Sequence, residues 1–74
     1  MATTLYIGGL AAETTESSVE SLFSDYGVVE VRLARSEAEC RGYGWVTVRH
    51  PLKAKRSLDG KEIGGLVLRV ELAS

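Results

Sequence analysis

The chain has 74 residues, nine lysines and arginines against ten aspartates and glutamates, a formal net charge of −1 and one cysteine. A chain this short is expected to form one domain over residues 1–74, burying only ~60% of the surface its unfolded form exposes. A single cysteine excludes a disulfide framework and a cysteine-built metal site, and no apolar run approaches the roughly 20 residues of a membrane span.

Thr4-Leu5-Tyr6-Ile7-Gly8 alternates as a strand, with Leu5 and Ile7 on one face and Tyr6 on the other. Gly8 to Glu13 is a loop, and Thr14 is the expected N-cap of a helix, with Glu16 in the first turn opposing the helix dipole. Val19, Leu22, Phe23 and Tyr26 fall at i, i+3, i+4 and i+7, one stripe of an amphipathic helix that Gly27 stops. Val28 to Arg35 reads as a strand, with Val29, Val31 and Leu33 inward and Glu30, Arg32 and Ala34 outward. Ser36 to Arg41 is a charged loop, which leaves Cys40 an exposed thiol with no base beside it. Arg41-Gly42-Tyr43-Gly44-Trp45-Val46-Thr47-Val48 then alternates again, Tyr43, Trp45 and Thr47 opposing Gly44, Val46 and Val48. Pro51 and the pair Asp59-Gly60 bracket a short basic helix whose apolar residues are Leu52, Ala54 and Leu58. After the turn-rich Lys61 to Gly65, Leu66 to Leu72 is the last strand, with Leu68, Val70 and Leu72 inward and Val67, Arg69 and Glu71 outward.

The order β-α-β-β-α-β predicts an α+β, ferredoxin-like split βαβ fold: a four-stranded antiparallel sheet with both helices on one face. Tyr6, Tyr43 and Trp45 then share the face the helices leave open, with Arg41 at the entrance of their central strand. Exposed aromatics with cations nearby suit flat aromatic ligands, above all the bases of single-stranded nucleic acid. Net charge argues against a nucleic-acid partner, since a basic domain is the usual footprint. Its distribution softens that objection. Glu13, Glu16, Glu20 and Asp25 cluster on the first helix and its approach, whereas all nine basic residues lie between Arg32 and Arg69.

Two short motifs carry a family resemblance. Arg41 to Val48 resembles the octamer of the RNA recognition motif at its first six positions, with Trp45 as the second aromatic, and Leu5-Tyr6-Ile7-Gly8-Gly9-Leu10 resembles its hexamer at all but one constrained position. Leu22-Phe23-Ser24-Asp25-Tyr26-Gly27 and Leu58-Asp59-Gly60-Lys61-Glu62-Ile63 are also typical, so the resemblance spans nearly the whole chain. It implies that Tyr6 and Tyr43 each stack on a base, that Trp45 lies against a sugar or between riboses, and that Arg41 holds a phosphate. Arg69 and Arg32 would add hydrogen bonds or backbone charge, with Glu71 and Glu30 on the same face as competing partners. Three departures bear on packing: Gly9 replaces an asparagine that orders the following loop, Val48 replaces an aromatic, and the second helix region is about three residues short.

No nucleophile–base pair, carboxylate pair or phosphate-binding glycine loop emerges, and the chain contains no asparagine, which an acylphosphatase-like site on the same scaffold would need. The expected protein is therefore a non-enzymatic single-stranded RNA-binding module with no cofactor and no metal. Single-stranded DNA is an alternative ligand, and a protein partner docking on the sheet or the helix face is the alternative function. A monomer in the nucleus or cytoplasm, a reducing compartment, is expected from the lone cysteine and the absence of a secretory leader pattern at Met1-Ala2-Thr3-Thr4.

Overall fold

Period-two alternation in four chain segments gives the sheet, and the aliphatic half of each alternation gives the core. In a computed structural model, which describes residues 1–73, the strands β1 (Thr3–Gly8), β2 (Val28–Ser36), β3 (Glu39–Val48) and β6 (Arg69–Leu72) pair in the order β2-β3-β1-β6. The last position of the expected 1–74 unit lies outside the described residues. All three pairings are antiparallel. Helices α1 (Glu16–Leu22) and α2 (Pro51–Leu58) cover one side, as the split βαβ order requires. Leu5, Ile7, Val46, Val48, Leu68 and Val70 from the strands meet Val19 and Phe23 from the α1 region and Ala54 and Leu58 from α2, all of them buried. No buried polar or charged residue interrupts this core among the described residues.

Helix α1 starts one residue later than the hydroxyl pattern predicts. The amide of Thr14 is taken by the carbonyl of Ala11 in a turn, so Thr15 becomes the N-cap. The Thr15 Oγ1 accepts from the Ser18 amide at 3.2 Å while Ser18 Oγ accepts from the Thr15 amide at 3.2 Å, a reciprocal capping box. The helix ends at Leu22, a 3₁₀ turn spans Ser24–Tyr26, and Gly27 takes φ 74°, the left-handed stop expected of it. Arg35 at the end of β2 ties this helix to the sheet: its Nη2 and Nε donate to the two carboxylate oxygens of Glu16 at 2.6 and 3.2 Å. That fork holds the Glu16 carboxyl below its ordinary range.

Two expectations along β2 and β3 fail because strand pairing overrides the local reading. Val29 was expected inward but is 53% exposed. Val28 pairs with Val48 and Glu30 with Thr47, so β2 advances two residues where β3 advances one, and the bulge turns Val29 out while Val28 packs on the core. Cys40 is not a loop thiol. β3 begins at Glu39, the Cys40 amide donates to the Ala12 carbonyl at 2.9 Å, and its side chain is buried. Only Glu37 and Ala38 turn the β2–β3 hairpin.

The expected last strand, Leu66 to Leu72, splits in two. β4 (Glu62–Ile63) and β5 (Leu66–Val67) form a small hairpin of their own, turning on Gly64 and Gly65 at φ 59° and 83°. Only Arg69–Leu72 joins the main sheet. Leu68 and Val70 point inward as expected, whereas Leu72 is 48% exposed. Leu52, expected among the apolar contacts of α2, is also exposed.

Candidate nucleic-acid interface

The residues between the core positions form the other side of the sheet, and the strand registers set them in rows. One row crosses all four strands as Arg32, Trp45, Tyr6 and Glu71. The next holds Tyr43, Gly8 and Arg69, and the row on the opposite side holds Glu30, Thr47 and Thr4. Period two thus brings all three expected aromatics together at the centre of the sheet.

The rings touch but do not share a plane. The centroids of Tyr6 and Tyr43 lie 6.3 Å apart with a 31° tilt, and those of Tyr43 and Trp45 lie 5.8 Å apart at 82°. The Tyr6 ring lies back along its own strand: a Cβ on Gly8 would come within 3.0 Å of the Tyr6 hydroxyl, so the bare backbone of Gly8 makes room for the ring. The planes of Tyr43 and Trp45 are nearly perpendicular, an arrangement the ring quadrupoles favour. Tyr6 and Tyr43 are half-buried by their neighbours and Trp45 is 37% exposed.

The expected cations lie around these rings in two different states. Arg41 is exposed on β3, two residues before Tyr43, and its guanidinium meets no carboxylate among the described residues. Arg32 and Arg69 flank the aromatics on the outer strands, each engaged by an acid two residues away along its strand. Arg32 Nε lies 3.4 Å from Glu30 Oε2, and Arg69 Nη2 lies 3.4 Å from Glu71 Oε2. Both pairs are exposed, so each contributes at most about 1 kcal/mol and opens readily to a ligand.

Two residues beside the rings were absent from the expected site. Thr4 and Thr47 share a hydroxyl–hydroxyl hydrogen bond of 2.9 Å across β1 and β3. With Glu30, Arg32 and Trp45 they line a shallow depression of about 330 Å³. The parity that selects Tyr6 and Trp45 also selects Thr4 and Thr47, and that signal was available in the sequence. Among the described residues no cluster of His, Cys, Asp or Glu is arranged to hold a metal, and no helix is long and apolar enough to cross a membrane.

The family model for the RNA recognition motif matches residues 5–69. Among solved structures, the chain is similar to the N-terminal RNA-binding domain of a hypothetical protein, at 26% identity and a TM-score of 0.88, covering 100% of this chain and 81% of that one. It is similar to the RNA-binding protein PG1 at 27% identity and a TM-score of 0.85, covering 96% of this chain and 93% of that one. The second RRM domain of the yeast poly(U)-binding protein shares the fold, with a TM-score of 0.84 at 22% identity over 97% of this chain and 94% of that one.

Proposed function

The chain belongs to the RNA recognition motif family, and from that premise we propose that it is a single-stranded RNA-binding module that takes bases on its open sheet face. Tyr6 and Tyr43 each stack a base, Trp45 supplies the third ring, Arg41 meets a phosphate, and Arg32 and Arg69 add hydrogen bonds or backbone charge. The observation that carries this reading is the adjacency of the three rings, 6.3 and 5.8 Å between centroids, on the side of the sheet opposite the helices. Stacking on an aromatic ring contributes about 1–3 kcal/mol per base. With a net charge of −1, a single module of this kind binds in a micromolar range or weaker and loses affinity with added salt.

Stacking alone accepts single-stranded DNA as well as RNA, so selection for RNA falls to groups that meet the 2′-hydroxyl. The module acts as a monomer, and its lone thiol suits the nucleus or cytoplasm. The test is the affinity of Tyr43→Ala and Trp45→Ala for a pool of short single-stranded RNAs. Each is expected to bind at least fivefold more weakly than the parent; parental affinity in both would sink the reading.

A second reading, a protein-interaction domain using its helix side, is favoured by one feature. An apolar hollow of about 330 Å³ opens between α1 and the β4–β5 hairpin, lined by Leu10, Val19, Leu22, Ile63 and Leu68 beside Glu13. Trp45 fluorescence separates the two: RNA on the sheet perturbs it strongly, whereas a peptide on the helix side leaves it unchanged.

A further inference from the structure

The depression beside Trp45 has a chemical character of its own. Trp45 stands at 82° to Tyr43, so the two rings do not stack face to face, and the indole lines the depression together with Glu30, Arg32, Thr47 and Thr4. Its lining carries two hydroxyls bonded to each other and a carboxylate and a guanidinium paired at 3.4 Å. A stacking wall with an acceptor and a donor beside it can read the edge of a base, beyond merely holding its face.

We infer that this depression is a guanine-selective subsite, in which Trp45 stacks the base and Glu30 accepts hydrogen bonds from its Watson–Crick edge. The inference rests on the RNA-binding reading above and adds a base identity to it. Guanine alone among the four bases presents two adjacent donors, N1–H and the N2 amino group, which match the two oxygens of one carboxylate. Adenine and cytosine offer a single amino group next to an acceptor, and uracil one imide N–H between two acceptors. Each of those sets at least one lone pair against the Glu30 carboxylate. The guanidinium of Arg32 is placed to donate to O6, the acceptor beside N1. Its Nε contact to Glu30 leaves both terminal amino groups free for that bond. Trp45 thereby stacks a base, where the family resemblance implied a sugar contact.

Matched bidentate contacts of this kind discriminate between bases by about tenfold. The experiment compares two short single-stranded RNAs that differ only in one guanosine or inosine, the latter lacking the N2 amino group, on the parent protein and on Glu30→Ala. Glu30 is exposed and, among the described residues, its side chain pairs only with Arg32, so its removal leaves the fold intact. Deleting a negative charge raises affinity for every RNA, and the guanosine-to-inosine ratio is therefore the readout. In the parent the guanosine strand is expected to bind about tenfold more tightly, and in Glu30→Ala the ratio is expected to fall to about one. A parent that binds RNA but treats the two strands alike overturns the subsite and leaves the RNA-binding reading standing, as does a Glu30→Ala variant that keeps the full ratio. A parent that binds neither strand overturns both.

Discussion

The two sides of this sheet are built from alternate residues of the same strands, and they share almost no chemistry. On the helix side Leu5, Ile7, Val46, Val48 and Val70 are fully buried, without a polar side chain among them. On the open side Tyr6, Tyr43 and Trp45 stand among charge pairs and hydroxyls that water reaches. Val46 and Trp45 are one residue apart, yet one is enclosed by helices and the other is 37% exposed. The division teaches that stability and recognition are separable here residue by residue, because the pleat assigns each to a different side.

Breaking the covered side is expected to have the largest effect. Phe23 is the largest fully buried side chain, and Phe23→Ala removes the ring that fills the space between α1 and the sheet. A loss of about 3–5 kcal/mol is expected by chemical denaturation. That is a large part of the ~4–11 kcal/mol available to a chain of this size. A loss below about 1 kcal/mol would mean that the core can close over the gap and the division is less sharp than drawn. Gly44→Ala comes next. A Cβ there would lie 2.4 Å from the Arg32 carbonyl and 2.9 Å from the Leu33 Cα, backbone atoms that cannot swing aside. β2 must separate from β3, at a cost of about 1–3 kcal/mol in stability. Because Arg32 and Glu30 ride on β2, the same variant also disturbs the open side.

Much of this division was legible in the sequence. The strands, both helices and the side occupied by each aromatic followed from alternation and from the i, i+3, i+4, i+7 stripe, since each is a property of a short window. What was not legible depends on a partner strand. The outward turn of Val29 comes from a bulge defined only against Val48 and Thr47. Burial of Cys40 needs β3 to extend to Glu39 and the Ala12 carbonyl to meet its amide. The attitude of Trp45 is set by contact with Tyr43, two residues away along the same face, and by neighbours from β1 and β2. Alternation gives the side of the sheet a ring occupies and leaves its tilt undetermined.

Tyr43→Ala tests the converse of Phe23→Ala. Its ring contacts Tyr6 and Trp45 on the open side, so its loss removes aromatic contacts worth about 0.5–1.5 kcal/mol each at most. A drop of about 1–3 kcal/mol in stability is expected, below that of Phe23→Ala, with an RNA-affinity loss of about 1–3 kcal/mol. If denaturation shows a loss as large as that of Phe23→Ala, the aromatic cluster is structural and the two sides are not separable.

The smallest effect is expected where the covered side is fastened at its edge. Asp59, capping the end of α2, accepts a hydrogen bond from the Val70 amide at 2.9 Å and lies 3.6 Å from Lys55 Nζ. The Val70 bond, more than the lysine, holds its carboxyl below the ordinary aspartate range. A carboxyl depressed in the folded state contributes stability above the ordinary aspartate range, and that contribution fades as pH falls through the depressed value. Asn at this position keeps an oxygen for the Val70 amide but carries no charge. Asp59→Asn is therefore expected to melt slightly below the parent near neutral pH and to lose less on acidification, the two curves converging once the Asp59 carboxyl is protonated in the folded state. Glu16, fastened to Arg35, titrates in the same direction in both proteins, so only the difference between the curves reports on Asp59. Parallel curves across the acid range would show that the charge at this joint adds nothing to the hold on β6, which the Val70 hydrogen bond and the pairing with β1 would then supply.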